Sequence, residues 1–180
     1  MKRSLIVIAR LFCWLVIINT MQCQKTTPNA DTEIDQISDT LLITENDISN
    51  FELVEYALSD QARRITENWT KFNELSAHIE NLKKGQLTFF KDDKVVMQGL
   101  LTDLISEIPE KINKPSILAR LVVLETSMNK LDEAANIRST DKETILNHIK
   151  DLLSSHTNFI YQINKEIERD AQVIARPTSN

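Results

Sequence analysis

Apolar residues recur every three or four positions along most of this chain, and this spacing limits its fold more than any other feature of the sequence. Steps of this size place the apolar side chains on one face of an α-helix. Such stripes run through residues 48–82, 87–108, 117–135 and 145–174. The sequence therefore predicts four amphipathic helices.

The scarcity of glycine supports the same fold class. The chain contains two glycines and four prolines. Tight hairpins and phosphate-binding loops need glycine where φ is positive, so an all-β fold, a P-loop and a dinucleotide-binding motif are not expected. The sequence predicts an all-α protein, an up-down four-helix bundle made of antiparallel helical hairpins with long outer helices.

Capping residues and prolines predict the helix boundaries. Ser49 with Glu52 three residues later fits a capping box, and Asp47 is the alternative cap. Gly85 is expected to end the first helix, and Pro115 suits the first turn of the third. At about 1.5 Å per residue the first helix would approach about 55 Å. The outer helices are therefore expected to project beyond the shared core or to pair as a coiled coil.

The first residues have the layout of an export signal. A basic start precedes an apolar stretch over residues 5–18, which Arg10 interrupts. A membrane-spanning helix needs about 20 apolar residues, and the segment Thr20-Met21-Gln22 lacks the small residues of an ordinary signal peptidase site. We therefore expect an export signal over residues 1–22, with an uncleaved signal anchor as the alternative.

The stretch "NTMQCQK", residues 19–25, resembles the lipobox of bacterial lipoproteins, in which the cysteine becomes the lipidated first residue of the mature protein. Thr20 and Gln22 stand where that motif usually has leucine and a small residue. "CQK" after a short apolar run, and "KPSILARLVVLETSMNKLDE" further along, look like segments of small Bacteroidota-type lipoproteins. The resemblance implies that Cys23 is lipidated and anchors the protein to a bacterial membrane in the cell envelope, facing the periplasm or the cell surface.

Composition divides the chain into four expected parts. The predicted signal over residues 1–22 precedes a tether, residues 23–46, that is rich in threonine, aspartate and glutamine. The helical bundle follows over residues 47–175, and residues 176–180 form a tail. A flexible coil of the tether's length reaches roughly 25 Å, which suffices to hold a domain just clear of a membrane.

His156 is the candidate for chemistry, because it lies on the apolar stripe of the fourth predicted helix. A histidine there could ligate a metal or haem, or pack in a pH-sensitive way. His148 lies two turns earlier but about 80° further around the helix. A di-metal site in a bundle needs two Glu-x-x-His motifs, which this chain lacks. We therefore expect a hydrogen-bonded histidine at the core edge, with no cofactor and no metal site, and His156 and His148 as the metal-ligand candidates.

Other chemistries find little support. Cys13 lies within the predicted signal, so the exported part has no second cysteine for a disulfide or a thiolate metal cluster. Carboxylates such as Glu166 and Glu168 are expected on solvated faces, and Trp69 in the core. No serine lies in a nucleophile-elbow context. A formal charge of −5 disfavours nucleic acid as a partner.

These features predict a lipoprotein that is not an enzyme. Its helical bundle is expected to act through protein binding or a structural role, with a protein partner of unknown identity and the oligomeric state left open. The alternative is a periplasmic ligand- or metal-sensing bundle that holds a small molecule near His156 and Trp69.

Overall fold

Seven α-helices and one 3₁₀ helix form the described part of the chain in the computed structural model, which covers residues 42–91 and 94–172. We number the α-helices in chain order as α1 (Glu45–Ser49), α2 (Asp60–Thr66), α3 (Thr70–Lys83), α4 (Thr88–Lys91), α5 (Lys94–Ser106), α6 (Pro115–Asn136) and α7 (Lys142–Ala171). The 3₁₀ helix, Glu110–Ile112, lies between α5 and α6. These residues contain no β-strand, and the predicted all-α class is confirmed.

The two longest described helices, α6 and α7, pack against each other as an antiparallel hairpin. Ser127 Oγ on α6 lies 2.8 Å from Ser155 Oγ on α7, and this contact is buried. Nearer the start of α6, the hydroxyl of Ser116 donates to the carboxylate of Glu166 near the end of α7. Since the partner position on α7 rises as the position on α6 falls, the two helices run in opposite directions.

The predicted start of α6 agrees with the structure, and α7 covers most of its predicted stripe over residues 145–174. Pro115 is the first residue of α6, where its missing N–H and fixed φ suit the first turn. The cap of α7 is Asp141, whose carboxylate accepts a hydrogen bond from the N–H of Thr144 at 2.8 Å. The helix ends at Ala171, three residues before the last apolar position of its predicted stripe.

The predicted first helix over residues 48–82 is wrong as a continuous element. α1 ends at Ser49, residues 51–59 are not helical, and residues 67–69 separate α2 from α3. The capping box belongs to Thr44 and Asp47 rather than to Ser49 and Glu52. The amino-terminal side therefore has no long outer helix within the described residues, and the up-down order of four helices stays a prediction.

Residues 51–59, which we call the strap, lie against α7 and are held there by its side chains. The hydroxyl of Thr157 accepts a hydrogen bond from the backbone N–H of Tyr56 at 2.9 Å. The same hydroxyl donates to the carbonyl of Val54, also at 2.9 Å. One side chain of α7 thus satisfies a donor and an acceptor of the strap backbone.

Asn164 repeats this arrangement two helical turns further along α7. Its side-chain carbonyl accepts from the N–H of Ser59 at 2.9 Å, and its amide donates to the carbonyl of Ala57 at 2.8 Å. In an extended chain the C=O of one residue and the N–H of the residue two places later face the same side. Thr157 and Asn164 therefore each satisfy one C=O and one N–H that lie two residues apart in the strap.

Gly85 ends α3, as its position in the sequence predicts. Its φ is +82°, and its N–H donates to the carbonyl of Leu82 at 2.8 Å. A Cβ at this position would lie 2.6 Å from the carbonyl oxygen of Ile43, so only glycine permits this approach. Ile43 falls within the predicted tether, and its side chain is buried in the core.

The core fills the space between the helices and contains Trp69 as predicted. Trp69 is fully buried, and its indole Nε1–H donates to the carbonyl of Leu104 at 3.1 Å. Its ring stacks on Phe72, with 5.2 Å between the centroids, and meets the edge of Phe159. Other fully buried apolar side chains are Leu75, Ile79, Leu82, Phe90, Met97, Ile112, Ile117, Leu121 and Leu124.

The predicted signal, the lipidation candidate Cys23 and the tail lie outside the described residues. The division into signal, tether, bundle and tail therefore stays a prediction. Among the helices described, none combines the length and the apolar character that a membrane span requires.

Candidate ligand-binding site

A cavity of about 430 Å³ lies between the strap, α3 and α7. Sites for small molecules in proteins commonly measure about 300–1,000 Å³. The residues that line it are Leu53, Glu55, Tyr56 and Leu58 of the strap, Arg63 of α2, Phe72, Asn73, Ser76, Glu80 and Lys83 of α3, and Leu153, His156, Thr157 and Ile160 of α7. Within each helix these positions recur at steps of three or four, so one face of α3 opposes one face of α7 across the cavity.

The cavity is elongated along α3. The ammonium group of Lys83 lies 3.0 Å from a carboxylate oxygen of Glu55 on the strap. Asn73, Arg63 and Leu58 line both this cavity and an adjoining one that Lys83 does not reach. Because α3 rises about 15 Å over the ten residues between Asn73 and Lys83, the site suits a long ligand better than a compact one.

His156 is the polar side chain of α7 that distinguishes this site. Its Nε2 atom is buried and has no hydrogen-bond partner among the described residues. Burial, and to a smaller extent the charge of Lys83, lower the pKa of His156 to about 4 against the opposing effects of Glu80 and Glu55. The imidazole is therefore neutral at pH 7, and Nε2 either donates or accepts one hydrogen bond according to the tautomer. The hydrogen bond that we expected for this histidine is not found at Nε2.

Three other polar side chains of the wall form hydrogen bonds within the protein. The hydroxyl of Ser76 donates to the carbonyl of Phe72 at 2.9 Å, within its own helix. The side-chain amide of Asn73 donates to the carbonyl of Glu67 at 3.0 Å. Thr157 uses its hydroxyl for both of its bonds to the strap.

The structure does not bring the predicted metal-ligand candidates into one site. His148 does not line the cavity and lies about 12 Å from His156 along the axis of α7, at eight residues' distance. Its Nδ1 atom is also buried without a partner. No group of three histidine, cysteine, aspartate or glutamate side chains comes together as a metal site within residues 42–91 and 94–172.

Trp69 lies behind the cavity rather than in its lining. Its ring contacts Phe72, and Phe72 lines the site. The alternative prediction placed a small molecule near His156 and Trp69. Only His156 of these two residues lines the cavity.

Glu166 corrects the expectation that the carboxylates lie on solvated faces. It is 1% exposed and accepts hydrogen bonds from the hydroxyl of Ser116, the guanidinium of Arg169 and, at 2.9 Å, the amide of Gln162. Burial alone raises the pKa of Glu166, but the bonds from Ser116 and Gln162 and the charges of Arg169 and Lys114 outweigh it and lower the pKa. A carboxylate so fully bonded stabilises the α6–α7 hairpin and has little capacity left for a ligand.

Comparison with protein-family models, with curated proteins and with solved structures finds no match to this chain. The resemblance of the segment around Cys23 to a lipobox therefore stays a prediction. The function has to be inferred from that segment and from the chemistry of the His156 cavity.

Proposed function

We propose that this chain is a lipid-anchored protein of a bacterial cell envelope whose helical domain binds a small molecule and catalyses no reaction. The lipobox-like segment at Cys23 and the short apolar run before it support the anchor. The cavity between the strap, α3 and α7, with the neutral imidazole of His156 among its lining residues, carries the proposal of ligand binding.

The imidazole of His156 is half-buried and lines the cavity, whereas its Nε2 atom is buried. Phe72, Leu153 and Ile160 line the same cavity and supply apolar contact surface. A ligand in the cavity would therefore contact the imidazole ring together with its apolar neighbours.

The same geometry supports binding rather than catalysis. Ser76 and His156 both line the cavity, so they are the pair from which a nucleophile and its base would be built. The hydroxyl of Ser76 instead donates to a backbone carbonyl, and Nε2 of His156 bonds to no protein group. We therefore assign His156 a role in holding a ligand.

The ligand is proposed to be organic rather than a metal ion. Structural metal sites need about four protein ligands, and catalytic ones about three. In the described part of the chain, no such group of donors surrounds His156. The expected protein partner and any oligomer are separate predictions, which a pull-down of the full-length protein from its native envelope tests.

Mass spectrometry under native and denaturing conditions tests this function. The full-length wild type and the His156→Phe variant would be purified from the native envelope, with His148→Phe as the control. We expect the native wild type to carry a small additional mass that denaturation removes. That mass should be lost from His156→Phe and kept by His148→Phe.

Two outcomes would overturn the proposal. A wild-type protein whose native mass equals its denatured mass would contradict ligand binding. An additional mass equal to a metal ion, lost from His156→Phe, would favour the metal-sensing alternative.

A further inference from the structure

The charged side chains around the His156 cavity are distributed unevenly between its two ends. At one end, the ammonium group of Lys83 lies 3.0 Å from carboxylate oxygens of both Glu55 and Glu80. One positive charge faces two negative charges there, so this end carries an excess of negative charge. Such an excess repels the headgroup of an anionic ligand.

The other end carries an excess of positive charge. Arg63 and Asn73 line both this cavity and the adjoining one, so they stand where the two cavities meet. Arg64 and Glu67 line the adjoining cavity. Two guanidinium groups therefore stand near one carboxylate, at the end of the site away from Lys83. An anion is attracted to this end and repelled from the other.

The guanidinium group of Arg63 has donors left for a ligand. Neither Arg63 nor Arg64 forms an ion pair within residues 42–91 and 94–172. Arg63 makes one long hydrogen bond, to the carbonyl of Leu58 at 3.5 Å. A guanidinium has five N–H donors in a planar fork, and two of them can bind the two oxygens of a carboxylate or a phosphate at once.

An apolar wall runs from this basic end into the cavity. Its residues are Phe72, Leu153 and Ile160, which lie in the hydrophobic core, and Leu53 and Leu58, which pack half-buried against the core. Phe72 directly precedes Asn73 in α3, so the apolar wall begins beside the residues that the two cavities share. A hydrocarbon chain along this wall leaves water, while a group at its end reaches Arg63.

We infer that the ligand of this cavity is an elongated molecule with a hydrocarbon body between α3 and α7 and an anionic headgroup, a carboxylate or a phosphate, that Arg63 binds. This inference rests on the proposed function and names the ligand class for the same site. The hydrocarbon body passes the neutral imidazole of His156 and points towards Lys83. Because Arg63 is exposed and hydrated, its ion pair with the headgroup contributes a modest part of the affinity.

Five probes at pH 7.5 separate the charge of the headgroup from the length of the chain: octanoate, octyl phosphate, 1-octanol, octylammonium and acetate. The full-length protein would be titrated with each while the Nε–H signal of Arg63 and the methyl signals of Leu153 and Ile160 are followed by NMR. We expect the two anionic octyl probes to shift all three signals and to bind about tenfold more tightly than 1-octanol or octylammonium. The tighter of the two identifies the headgroup, and acetate should bind more weakly than octanoate because it lacks the chain.

Arg63→Met tests the residue that is assigned to the headgroup. Methionine keeps an apolar stem but removes the charge. The variant should lose about tenfold in affinity for octanoate and bind 1-octanol as the wild type does. Arg120→Met is the control, since Arg120 is exposed on α6 and does not line the cavity, and it should bind every probe as the wild type does. Melting temperatures would show whether each variant is folded.

Three outcomes would overturn this inference. Tighter binding of 1-octanol or octylammonium than of both anionic octyl probes, with the same methyl signals shifting, would contradict the ligand class and leave the proposed function standing. Equal losses of affinity for octanoate and 1-octanol in Arg63→Met would mean that this arginine does not bind the headgroup. Absence of any shift with all five probes would count against both proposals.

Discussion

Thr157 on α7 accepts a hydrogen bond from the backbone N–H of Tyr56 at 2.9 Å, across 101 positions of sequence. The strap to which Tyr56 belongs covers the His156 cavity. The strap is therefore attached to α7 by side-chain hydrogen bonds. Among the described residues, neither a β-sheet nor a disulfide joins the two. The shape of the cavity depends on how firmly α7 holds this segment.

Replacement of Thr157 by valine tests this attachment. Valine keeps the shape of the side chain but removes both bonds to the strap, and each net hydrogen bond contributes about 0.5–1.5 kcal/mol. We expect the free energy of unfolding to fall by about 1–2 kcal/mol, with faster hydrogen exchange at the amide of Tyr56.

Thr126→Val is the matched control for this change. The hydroxyl of Thr126 donates only to the carbonyl of Val122 in its own helix, at 2.8 Å. Its replacement should alter stability by about 0.5 kcal/mol or less and leave the exchange at Tyr56 unchanged. Equal exchange at Tyr56 in both variants would mean that Thr157 does not hold the strap.

His156 should make the protein less stable in mild acid. Burial is the main cause that lowers its pKa from 6.5 to about 4. Between these two pH values the unfolded chain binds a proton that the folded protein does not bind. The free energy of unfolding therefore falls as the pH drops from about 6.5 to about 4, and this group adds no pH dependence above that window. The full effect is on the order of 3 kcal/mol.

Urea unfolding of the wild type and of His156→Gln at pH 7.5, 5.5 and 4 measures this contribution. Asp47, Asp141 and Glu166 also have lowered pKa values, so acid weakens both proteins through them. That shared effect cancels in the difference between the two proteins. The variant should lose less stability than the wild type on acidification, and identical losses would contradict the prediction.

The sequence predicted α6 and α7 correctly because their apolar stripes are long and their starts are marked. Pro115 begins α6, and Asp141 caps α7. The strap was missed because the apolar residues within 51–59 fit both the 3.6-residue period of a helix and the two-residue period of an extended chain. Phe51 and Leu53 are half-buried, whereas Glu52 between them and Val54 after them are exposed. Such an alternation is typical of an extended chain rather than of a helix.

Capping signals could have located the strap. Thr44 with Asp47 three residues later forms a capping box, and Ser59 accepts a hydrogen bond from the N–H of Ala62 at 3.2 Å as the cap of α2. Two helix starts 15 residues apart leave no room for one continuous helix. The prediction instead followed the apolar stripe over residues 48–82, which continues past the cap at Ser59.

His156 is the residue of the cavity that the sequence analysis identified as a candidate. His156 could be chosen from its position on the stripe, but its lack of a partner at Nε2 depends on the neighbours that tertiary packing supplies. Lys83 and Glu55 come from α3 and from the strap, and the strap was expected to be helical. The burial of Glu166 was missed for a related reason, because its partner Ser116 belongs to another helix.

Glu166 provides a further test of the hairpin. In Glu166→Gln the single side-chain oxygen cannot accept from Ser116, Gln162 and Arg169 together, and the new amide NH₂ group is placed in a buried position facing hydrogen-bond donors. We expect the free energy of unfolding at pH 7 to fall by about 1–3 kcal/mol. Glu168→Gln is the control, since Glu168 is 55% exposed and pairs with Lys165 on the surface. Equal losses in the two variants would mean that the buried bonds of Glu166 contribute nothing.

Lipidation of Cys23 determines how the whole protein partitions between membrane and water. Acyl chains bury apolar surface at about 0.8 kcal/mol per CH₂, and two or more chains hold a protein firmly where one binds only marginally. The mature protein should therefore stay with membranes in high salt and leave them only in detergent. In Cys23→Ser it should remain an uncleaved precursor or appear soluble outside the inner membrane. Cys13→Ser, which changes the cysteine inside the predicted signal, should fractionate as the wild type does.

The mass of the intact amino-terminal peptide, measured together with this fractionation, checks the prediction for Cys23. A lipidated protein begins at Cys23 and carries the mass of its acyl chains. An unmodified Cys23 thiol on a chain that still begins at Met1 would contradict lipidation and favour the signal anchor. The apolar run would then have to span the bilayer with Arg10 inside it. A charged residue at that depth is unfavourable by about 2.5–3.5 kcal/mol on insertion scales, so a cleaved and lipidated amino terminus is the expected result.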